Sequence, residues 1–479
     1  MLFNSVIFLL VFLPVFLTGW YYIRNINYRL AWLTGFSFLF YAYWDWRFLF
    51  LMLASILVDF YCGKKIAGSV ISNKKKAKRW MIVSVGFNLF ILGFFKYFNF
   101  FVDTVYDLLP VGSLMSKPAL NIILPAGISF YSFSSMSYAI DLYLGKARPV
   151  LSFLHFSAYI SMFPHLVAGP IVRYRFIDEQ LKKLHQAPEY DVIYKGLFIF
   201  CIGLFRKIFI ADFFALEADN FFNSHQYYHP RFIESWIGVL SYTFQIYYDF
   251  SAYSEMAVGL GLLIGIQFPY NFNSPYKARS FSDFWRRWHI TLSEFLRDYL
   301  YIPLGGNRHG TARTYFNLLI TMLIGGLWHG ASWLFVIWGA LHGTFLILEK
   351  MFSGFKLEEK KIYRVFVFIA VSMAWIFFRS ASLQTAMETV KACLLFNGVE
   401  SFEPAYQILG AGIPQFVRIS GGLLSFLAPF AGILMVSLLP NVYEVKYPKT
   451  KWAAFLLALL LFICIINIYK PSPYLYFKF

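Results

Sequence analysis

Runs of about twenty apolar residues recur along almost the whole chain, and they limit the possible folds more than any other feature. A helix needs roughly 20 mostly apolar residues to cross the hydrocarbon core of a bilayer. Such runs lie near 2–22, 31–61, 80–101, 121–141, 152–172, 196–216, 233–266, 314–349, 362–379, 421–440 and 452–469. Two of them are long enough to be helix pairs, and the alternating pattern of transmembrane strands is absent. The sequence therefore predicts an all-α polytopic membrane protein with about 11–13 transmembrane and re-entrant helices.

The strong positive charge fits a membrane protein better than a nucleic-acid-binding protein. The formal net charge is +17, yet only 14% of residues are charged and 59% are hydrophobic. The basic residues fall in short connections between apolar runs, as the positive-inside rule describes. If the first two basic clusters are cytoplasmic, 31–61 crosses twice and the N-terminus lies outside. We expect loops oriented by charge and attracted to anionic lipid, and no nucleic-acid partner.

The chain offers no separate soluble domain and no metal motif. Its longest polar stretches, about 173–194 and 380–420, are too short for a hydrophobic core of their own, so we expect one transmembrane domain over 1–479. The first run lacks a basic region before it and a cleavage site after it, so it is expected to stay as the first helix. Four scattered cysteines, Cys62, Cys201, Cys393 and Cys464, form neither a disulfide framework nor a metal site. We predict no metal and no bound cofactor.

The segment 280–308 predicts an amphipathic helix with a clear beginning and end. Ser280 followed by Asp283 fits a capping box, and Pro303 with Gly305 and Gly306 ends the helix. Aromatic and leucine residues recur on one side, while another side carries the polar residues Arg286, His289, Ser293 and Arg297. Arginines beside a histidine, Arg287 included, suit a phosphate-bearing or thioester-bearing donor. An interfacial anchor with snorkelling arginines and a hydrogen-bonded histidine remains the alternative.

His329 lies in MLIGGLWHGASW (322–333), where nothing amphipathic explains a histidine. An ionisable side chain at bilayer depth is costly and usually faces a protein interior or an aqueous cavity. Glycines around His329 would let a backbone, a ligand or a second helix come close. A neutral imidazole there can accept a proton from a hydroxyl and return it to a leaving group, as acyl transfer requires. A histidine that only bridges two helices by hydrogen bonds is the alternative.

Other polar residues in apolar runs give weaker signals. His342 would lie well off the face of His329 on a continuous helix, so packing or a hydrogen bond is expected for it. Asp249 and Glu255 should face the bundle interior, where they could orient a histidine or pair with a cation. The run FPHLVAGPIVRY (163–174) predicts a helix broken at membrane depth. His165 within it is expected to be a hydrogen-bonded structural residue.

Five motifs together resemble the membrane-bound O-acyltransferases. They are LPAGISFYSF (124–133), FPHLVAGPIVR (163–173), YYDFSAYSEMAVGLG (247–261), FWRRWHITLSEFLRDYLYIPLGGNR (284–308) and GGLWHGASWLFVIWGALHG (325–343). Within that superfamily the chain resembles the bacterial branch typified by the membrane subunit of alginate O-acetylation, in order over roughly residues 1–440. By this resemblance His329 takes the position of the essential intramembrane histidine, and His289 that of the second characteristic polar residue. Arg286, Arg287, Ser293, Arg297, Asp249 and Trp328 become candidates for lining the donor site or the cavity.

The resemblance implies a helical bundle with opposed funnels that meet at the histidine, in a bacterial inner membrane. A cytoplasmic thioester, acetyl-CoA, would donate the acyl group. A separate extracytoplasmic SGNH-type acetyltransferase would then modify a polysaccharide acceptor. The ending PSPYLYFKF resembles an acyl-carrying tyrosine motif, with Tyr476 as the carrier, although aromatic residues beside a span also anchor helices at the lipid headgroups. A D-alanyl transferase for teichoic acid, a transporter or flippase, and a scaffold for a secreted acetylase are the rival functions.

Overall fold

The computed structural model describes residues 1–108, 120, 122–150, 152–224, 230–395, 415–468 and 472–475. These residues form helices and no strand, so the predicted all-α fold is confirmed. In chain order the helices are α1 (Leu13–Tyr22), α2 (Ile26–Ala42), α3 (Arg47–Ala67), α4 (Lys74–Leu92), α5 (Phe98–Leu108), α6 (Ile128–Tyr143), α7 (Phe153–Ser161), α8 (Phe163–Leu166), α9 (Tyr174–Lys182), α10 (Tyr190–Phe205), α11 (Asp212–Ser224), α12 (Phe232–Leu263), α13 (Phe281–Arg287), α14 (Ile290–Leu296), α15 (Gly310–His329), α16 (Trp333–Met351), α17 (Lys361–Arg379), α18 (Leu383–Cys393), α19 (Gln415–Leu438) and α20 (Lys451–Ile466).

Short π-helical and 3₁₀ segments interrupt or join these helices. The π-helical segments are Phe8–Phe12, Gly93–Tyr97, Arg206–Ala211 and Arg297–Tyr301, and the 3₁₀ segments are Pro275–Lys277, Ser353–Phe355 and Leu357–Glu359. A π-helical turn shifts the face that a helix presents, and such turns occur frequently at functional sites.

Three helical stretches of the described residues are long and apolar enough to cross a membrane: Lys74–Leu108, Trp333–Met351 and Lys361–Arg379. Phe8–Tyr22, Leu424–Leu438 and Lys451–Ile466 are shorter apolar helices. The predicted number of spans therefore stays a prediction.

The predicted apolar runs divide in different ways. The run 31–61 splits into α2 and α3, and 314–349 splits into α15 and α16. By contrast, 233–266 is essentially one helix, α12, of 32 residues. The helix break predicted within 163–174 is present, since α8 covers only Phe163–Leu166 and α9 begins at Tyr174. A run of apolar residues thus predicts that the segment is helical but does not predict where a turn interrupts the helix.

The chain forms two compact units, each assembled from separate segments. The first contains Met1–Leu204, Tyr253–Tyr270 and Tyr447–Lys478, and the second contains Phe205–Ala252 and Asn271–Lys446. The expectation of a single domain over 1–479 stays a prediction.

In the first unit a buried carboxylate joins α3 to α4. Asp59 is 1% exposed and accepts hydrogen bonds from Ser84 Oγ (2.5 Å) and from Asn88 Nδ2 (2.9 and 3.0 Å). Ser55 Oγ lies 3.3 Å from the same carboxylate. A buried polar group is tolerated when it is hydrogen-bonded, so this cluster fixes the packing of the two helices.

The second unit has an interior rich in indole rings. Trp288 packs on Trp375 with ring centroids 5.0 Å apart, and Trp375 stacks on Trp338 at 5.4 Å. All three side chains are at most 1% exposed. Large rings at these separations contribute both buried apolar area and favourable ring contacts, so they form a rigid wall beside the histidines described below.

Candidate active site

The predicted continuous helix over 280–308 is wrong, because the chain turns at His289. Helix α13 begins after Ser280, whose side chain accepts the N–H of Asp283 (3.1 Å), as predicted, but it ends at Arg287. His289 has φ 40° and ψ 56°, a left-handed conformation, and α14 begins at Ile290. Such a backbone costs a non-glycine residue about 1–2 kcal/mol. It is held here because the carbonyl of Asn271 accepts the N–H of Ile290 (2.9 Å).

This turn separates the residues that the sequence placed on one polar face. His289 is fully buried, whereas Arg286 is exposed. Arg297 is also largely exposed and forms an ion pair with Asp298 (2.7 Å), and Ser293 Oγ donates to the carbonyl of Trp288 (3.2 Å). The expectation of a single stripe of Arg286, His289, Ser293 and Arg297 is therefore wrong. The left-handed residue rotates α14 relative to α13, and helical spacing no longer relates the two segments.

His329 is the last residue of α15, and a tight turn follows it. Gly330 is extended, and Ser332 caps α16 by accepting the N–H of Leu334 (3.3 Å). The two helices approach so closely that a Cβ at Gly326 would lie 2.2 Å from the carbonyl oxygen of Phe335. The predicted role of glycine in a close approach is confirmed at this position.

The two predicted histidines lie together in the interior of the second unit. Their ring centroids are 6.4 Å apart, and His329 is 3% exposed. Trp328 contacts both, at 5.9 Å from His289 and 5.0 Å from His329. Phe250 packs edge-on against His289 at 4.7 Å. The structure thus brings His289, His329 and Trp328 into one buried aromatic cluster, where an imidazole can exchange protons with a small reacting group.

His342 is a neighbour of this cluster that the sequence did not indicate. It is fully buried, and its ring lies 4.7 Å from Trp338, which also contacts His329 at 5.1 Å. Among the described residues neither ring nitrogen of His342 has a hydrogen-bond partner, so packing, one of the two expected roles, is the one observed. Helical spacing gave no signal, because α15 and α16 form a hairpin and not one continuous helix.

Helix α13 has an open hollow of about 270 Å³ that is lined by three arginines, Arg279, Arg286 and Arg287. The remaining lining residues are Ser280, Asp283 and Glu358. Arg287 pairs with Asp283 (2.9 Å) and donates to the carbonyl of Asn273 (3.2 Å). Burial by itself raises the pKa of the Asp283 carboxyl. The backbone N–H of Arg279 and the guanidinium of Arg287 lower this pKa by more than burial raises it, so the pKa lies below its ordinary value. The hollow has a net positive charge and an exposed guanidinium at Arg286, which suits a phosphate group.

Asp249 pairs with a lysine in the interior of the second unit. Its carboxylate lies 2.5 Å from Lys207 Nζ, which also lies 2.8 Å from Asp212. Lys207 and Asp249 side chains are only 3% and 4% exposed. Asp249 precedes Phe250, the ring that contacts His289, so the ion pair stabilises one wall of the histidine cluster. Cation pairing was one of the roles expected for Asp249.

Two further polar residues that the sequence singled out are buried in the first unit. His165 Nε2 lies 3.0 Å from the carbonyl of Tyr159, as expected of a hydrogen-bonded structural histidine. Glu255 is 3% exposed, which confirms the expectation that it is buried. Among the described residues, no group of three or more His, Cys, Asp or Glu side chains could hold a metal ion.

Tyr476 lies outside the described residues, but the residues just before it are held in the first unit. Tyr474 is 1% exposed and packs on Tyr253 at 4.5 Å, and the carbonyl of Ser472 accepts Asn4 Nδ2 (3.0 Å). Lipid-headgroup anchoring is therefore wrong for Tyr474, because its ring is enclosed by protein.

Comparison with known proteins identifies related chains. Residues 144–383 match the model of the membrane-bound O-acyltransferase family. The chain is 42% identical over 399 residues to a probable alginate O-acetylase of Azotobacter vinelandii, covering 83% of this chain and 79% of that one. It is 40% identical over 433 residues to a peptidoglycan O-acetyltransferase of Helicobacter pylori, covering 83% and 81%. A teichoic acid D-alanyltransferase of Bacillus subtilis is 27% identical over 253 residues, covering 51% and 63%.

Proposed function

Because the chain belongs to the membrane-bound O-acyltransferase family and is a membrane O-acyltransferase, we propose that it transfers acetyl groups from cytoplasmic acetyl-CoA for the O-acetylation of an extracytoplasmic polysaccharide. The relatives named as acetylating enzymes are 40–42% identical over 83% of the chain, whereas the D-alanyl transferase is 27% identical over 51%. These identities favour acetyl over D-alanyl as the transferred group.

The contact between His289 and His329 is the observation that carries the proposal. His329, as general base, accepts the proton of the attacking hydroxyl. The new ester C–O bond forms as the C–S bond of the thioester breaks, and the proton passes to the thiolate. His289 lies close enough, at 6.4 Å between ring centroids, to orient the thioester. An aromatic enclosure excludes water, which would otherwise hydrolyse the acyl group.

The arginine hollow at α13 supports a nucleotide thioester as the donor. Coenzyme A bears several phosphate oxygens at the end remote from its sulfur, and guanidinium groups bind phosphate with paired hydrogen bonds. The exposed Arg286 and the partly neutralised Arg287 would hold that end. Helix α13, which carries these arginines, ends two positions before the buried His289.

We propose that Tyr476 and a separate partner protein carry the acyl group to its acceptor. We place the protein in a bacterial inner membrane, with several spans and a secreted SGNH-type acetyltransferase as the partner that modifies the polysaccharide. Tyr476 is the proposed carrier of the acyl group, because a phenol can accept an acyl group, and its phenolate is then a good leaving group when the acceptor hydroxyl attacks the tyrosyl ester. Burial of Tyr474 against Tyr253 would hold the chain just before this tyrosine.

The proposal is tested by transfer of radiolabelled acetyl from acetyl-CoA to the purified protein in detergent, with and without a polysaccharide acceptor and partner. His329→Ala should remove transfer while the protein still accumulates in the membrane. His185→Ala is the matched control, because His185 is an exposed histidine remote in sequence from the cluster. Transfer by the His329→Ala variant at the wild-type rate would refute the catalytic assignment.

D-alanyl transfer is the second candidate, favoured by the similarity to the Bacillus subtilis enzyme. The two candidate functions differ in the acyl donor that the protein uses. A D-alanyl group loaded on a carrier protein should be transferred in place of acetyl if this candidate is correct. Absence of transfer from acetyl-CoA together with transfer from the carrier would replace the proposed donor.

A further inference from the structure

One face of α16 packs along α13 from Phe281 to Trp285. Phe345 stacks on Phe281 at the beginning of α13, with ring centroids 4.7 Å apart. His342, one turn earlier on α16, contacts Trp285 at 5.1 Å, and Trp338 contacts the same indole at 5.8 Å. Residues spaced by three or four positions lie on one face of a helix. Glu349 continues this face one turn beyond Phe345, so its side chain meets the beginning of α13.

The carboxylate of Glu349 binds the free N–H groups at that beginning. Oε2 accepts the N–H of Phe281 (2.6 Å) and Oε1 accepts the N–H of Ser282 (3.1 Å). Ser280 Oγ accepts the next N–H, that of Asp283 (3.1 Å). The first N–H groups of any helix have no partner within the helix. A side chain from a different helix therefore satisfies two of the first three in α13.

These two bonds matter because α13 is short. It has seven residues, and isolated helices shorter than about 12–15 residues are marginal in water. A carboxylate at a helix N-terminus also interacts favourably with the helix dipole. The helix ends at Arg287, immediately before Trp288 and the left-handed His289. Glu349 therefore binds one end of a short helix whose other end carries the arginines and adjoins the histidine.

We propose that Glu349 is a positioning residue for the acyl donor: by holding the beginning of α13, it sets the position of Arg286 and of His289. This inference rests on the proposed function, in which those two residues receive a nucleotide thioester. Glu349 itself touches no reacting atom. Its effect belongs to donor binding more than to proton transfer at His329, which lies on a different helix.

The test compares Glu349→Ala, Glu349→Gln and the matched control Glu388→Ala, which removes a carboxylate from α18 that contacts Gln384 (3.1 Å). Equilibrium binding of radiolabelled acetyl-CoA, the KM for acetyl-CoA, kcat and peptide-level hydrogen exchange are measured on the full chain in detergent. For Glu349→Ala we expect the dissociation constant and KM to rise about tenfold, equivalent to about 1.4 kcal/mol, with a smaller change in kcat. Glu349→Gln keeps one carbonyl acceptor and should be intermediate.

Hydrogen exchange distinguishes positioning from general destabilisation. Faster exchange confined to peptides over 280–290, with Glu388→Ala unchanged, supports the inference. Unchanged exchange there, or faster exchange throughout the chain in both Glu349 variants, overturns it. If the wild type binds no acetyl-CoA, the proposed donor is wrong, and exchange over 280–290 still decides whether Glu349 holds α13. If the wild type binds it and Glu349→Ala binds equally well, the proposed donor stands and the positioning role falls.

Discussion

Gly326→Ala should inactivate the enzyme without touching either histidine. A Cβ at position 326 would lie 2.2 Å from the carbonyl oxygen of Phe335 and 3.1 Å from Cα of Gly339. Ordinary contact begins near 3.4 Å, so α15 and α16 must separate locally by about 1 Å. Overpacking of this kind typically costs about 1–3 kcal/mol of stability. The larger effect is on catalysis, because His329 lies one turn further along α15 and Trp338 lies on α16.

A misplacement of 1 Å at a reacting group can cost about 10²-fold in rate. We therefore expect the acetyl transfer rate of Gly326→Ala to fall about a hundredfold, while the protein still accumulates in the membrane. The assay is transfer of radiolabelled acetyl, run beside a thermal melting curve in detergent. Gly86→Ala is the matched control, because a Cβ at Gly86 on α4 meets no atom within 4 Å. A folded Gly326→Ala enzyme with a rate within about twofold of the wild type would refute the reasoning.

Three further changes probe other parts of the structure. Lys207→Ala removes the ammonium group that lies 2.5 Å from the buried Asp249 carboxylate, so the free energy of unfolding should fall by about 3–5 kcal/mol. A thermal melting curve checks this. The double variant of Lys207→Ala with Asp249→Asn should recover the lost stability. Arg286→Ala should raise the KM for acetyl-CoA about tenfold. Arg297 is already paired with Asp298 (2.7 Å), so Arg297→Ala should change this KM less than twofold. Equal effects of the two substitutions would contradict the assignment of the hollow to the donor. Tyr476→Phe should stop acyl transfer to the acceptor while the protein still accumulates, which a gel of labelled protein and labelled polysaccharide detects.

The fold class and the burial of the two histidines could be predicted from the sequence. Long apolar runs require helices in a bilayer, since each backbone N–H and C=O must be satisfied within its own segment. His289 and His329 were indicated because a buried ionisable group is expensive and usually has a function. The glycine pattern around position 326 predicted close packing for the same elementary reason, the absence of a side chain.

The relation between neighbouring segments could not be predicted in the same way. Helical spacing placed Arg286, His289, Ser293 and Arg297 on one face, but His289 adopts φ 40° and the helix stops there. That conformation depends on Asn271, whose carbonyl binds the N–H of Ile290, and no local pattern connects these two positions. The nearness of His342 to the histidine cluster was not predicted for a related reason, because its distance from His329 depends on a turn between two helices.

The types of amino acid and their periodicity were enough to predict an all-α membrane protein and to single out two histidines in its apolar interior as candidate site residues. Only the tertiary structure decided that the two imidazoles meet at 6.4 Å, that Asp249 pairs with Lys207, and that Glu349 caps a helix 68 residues earlier in the chain. The physical reason is the range of the interactions. Transfer of apolar groups from water and local hydrogen bonding depend on the segment alone, whereas ring contacts, ion pairs and caps between helices exist only after distant segments have packed together.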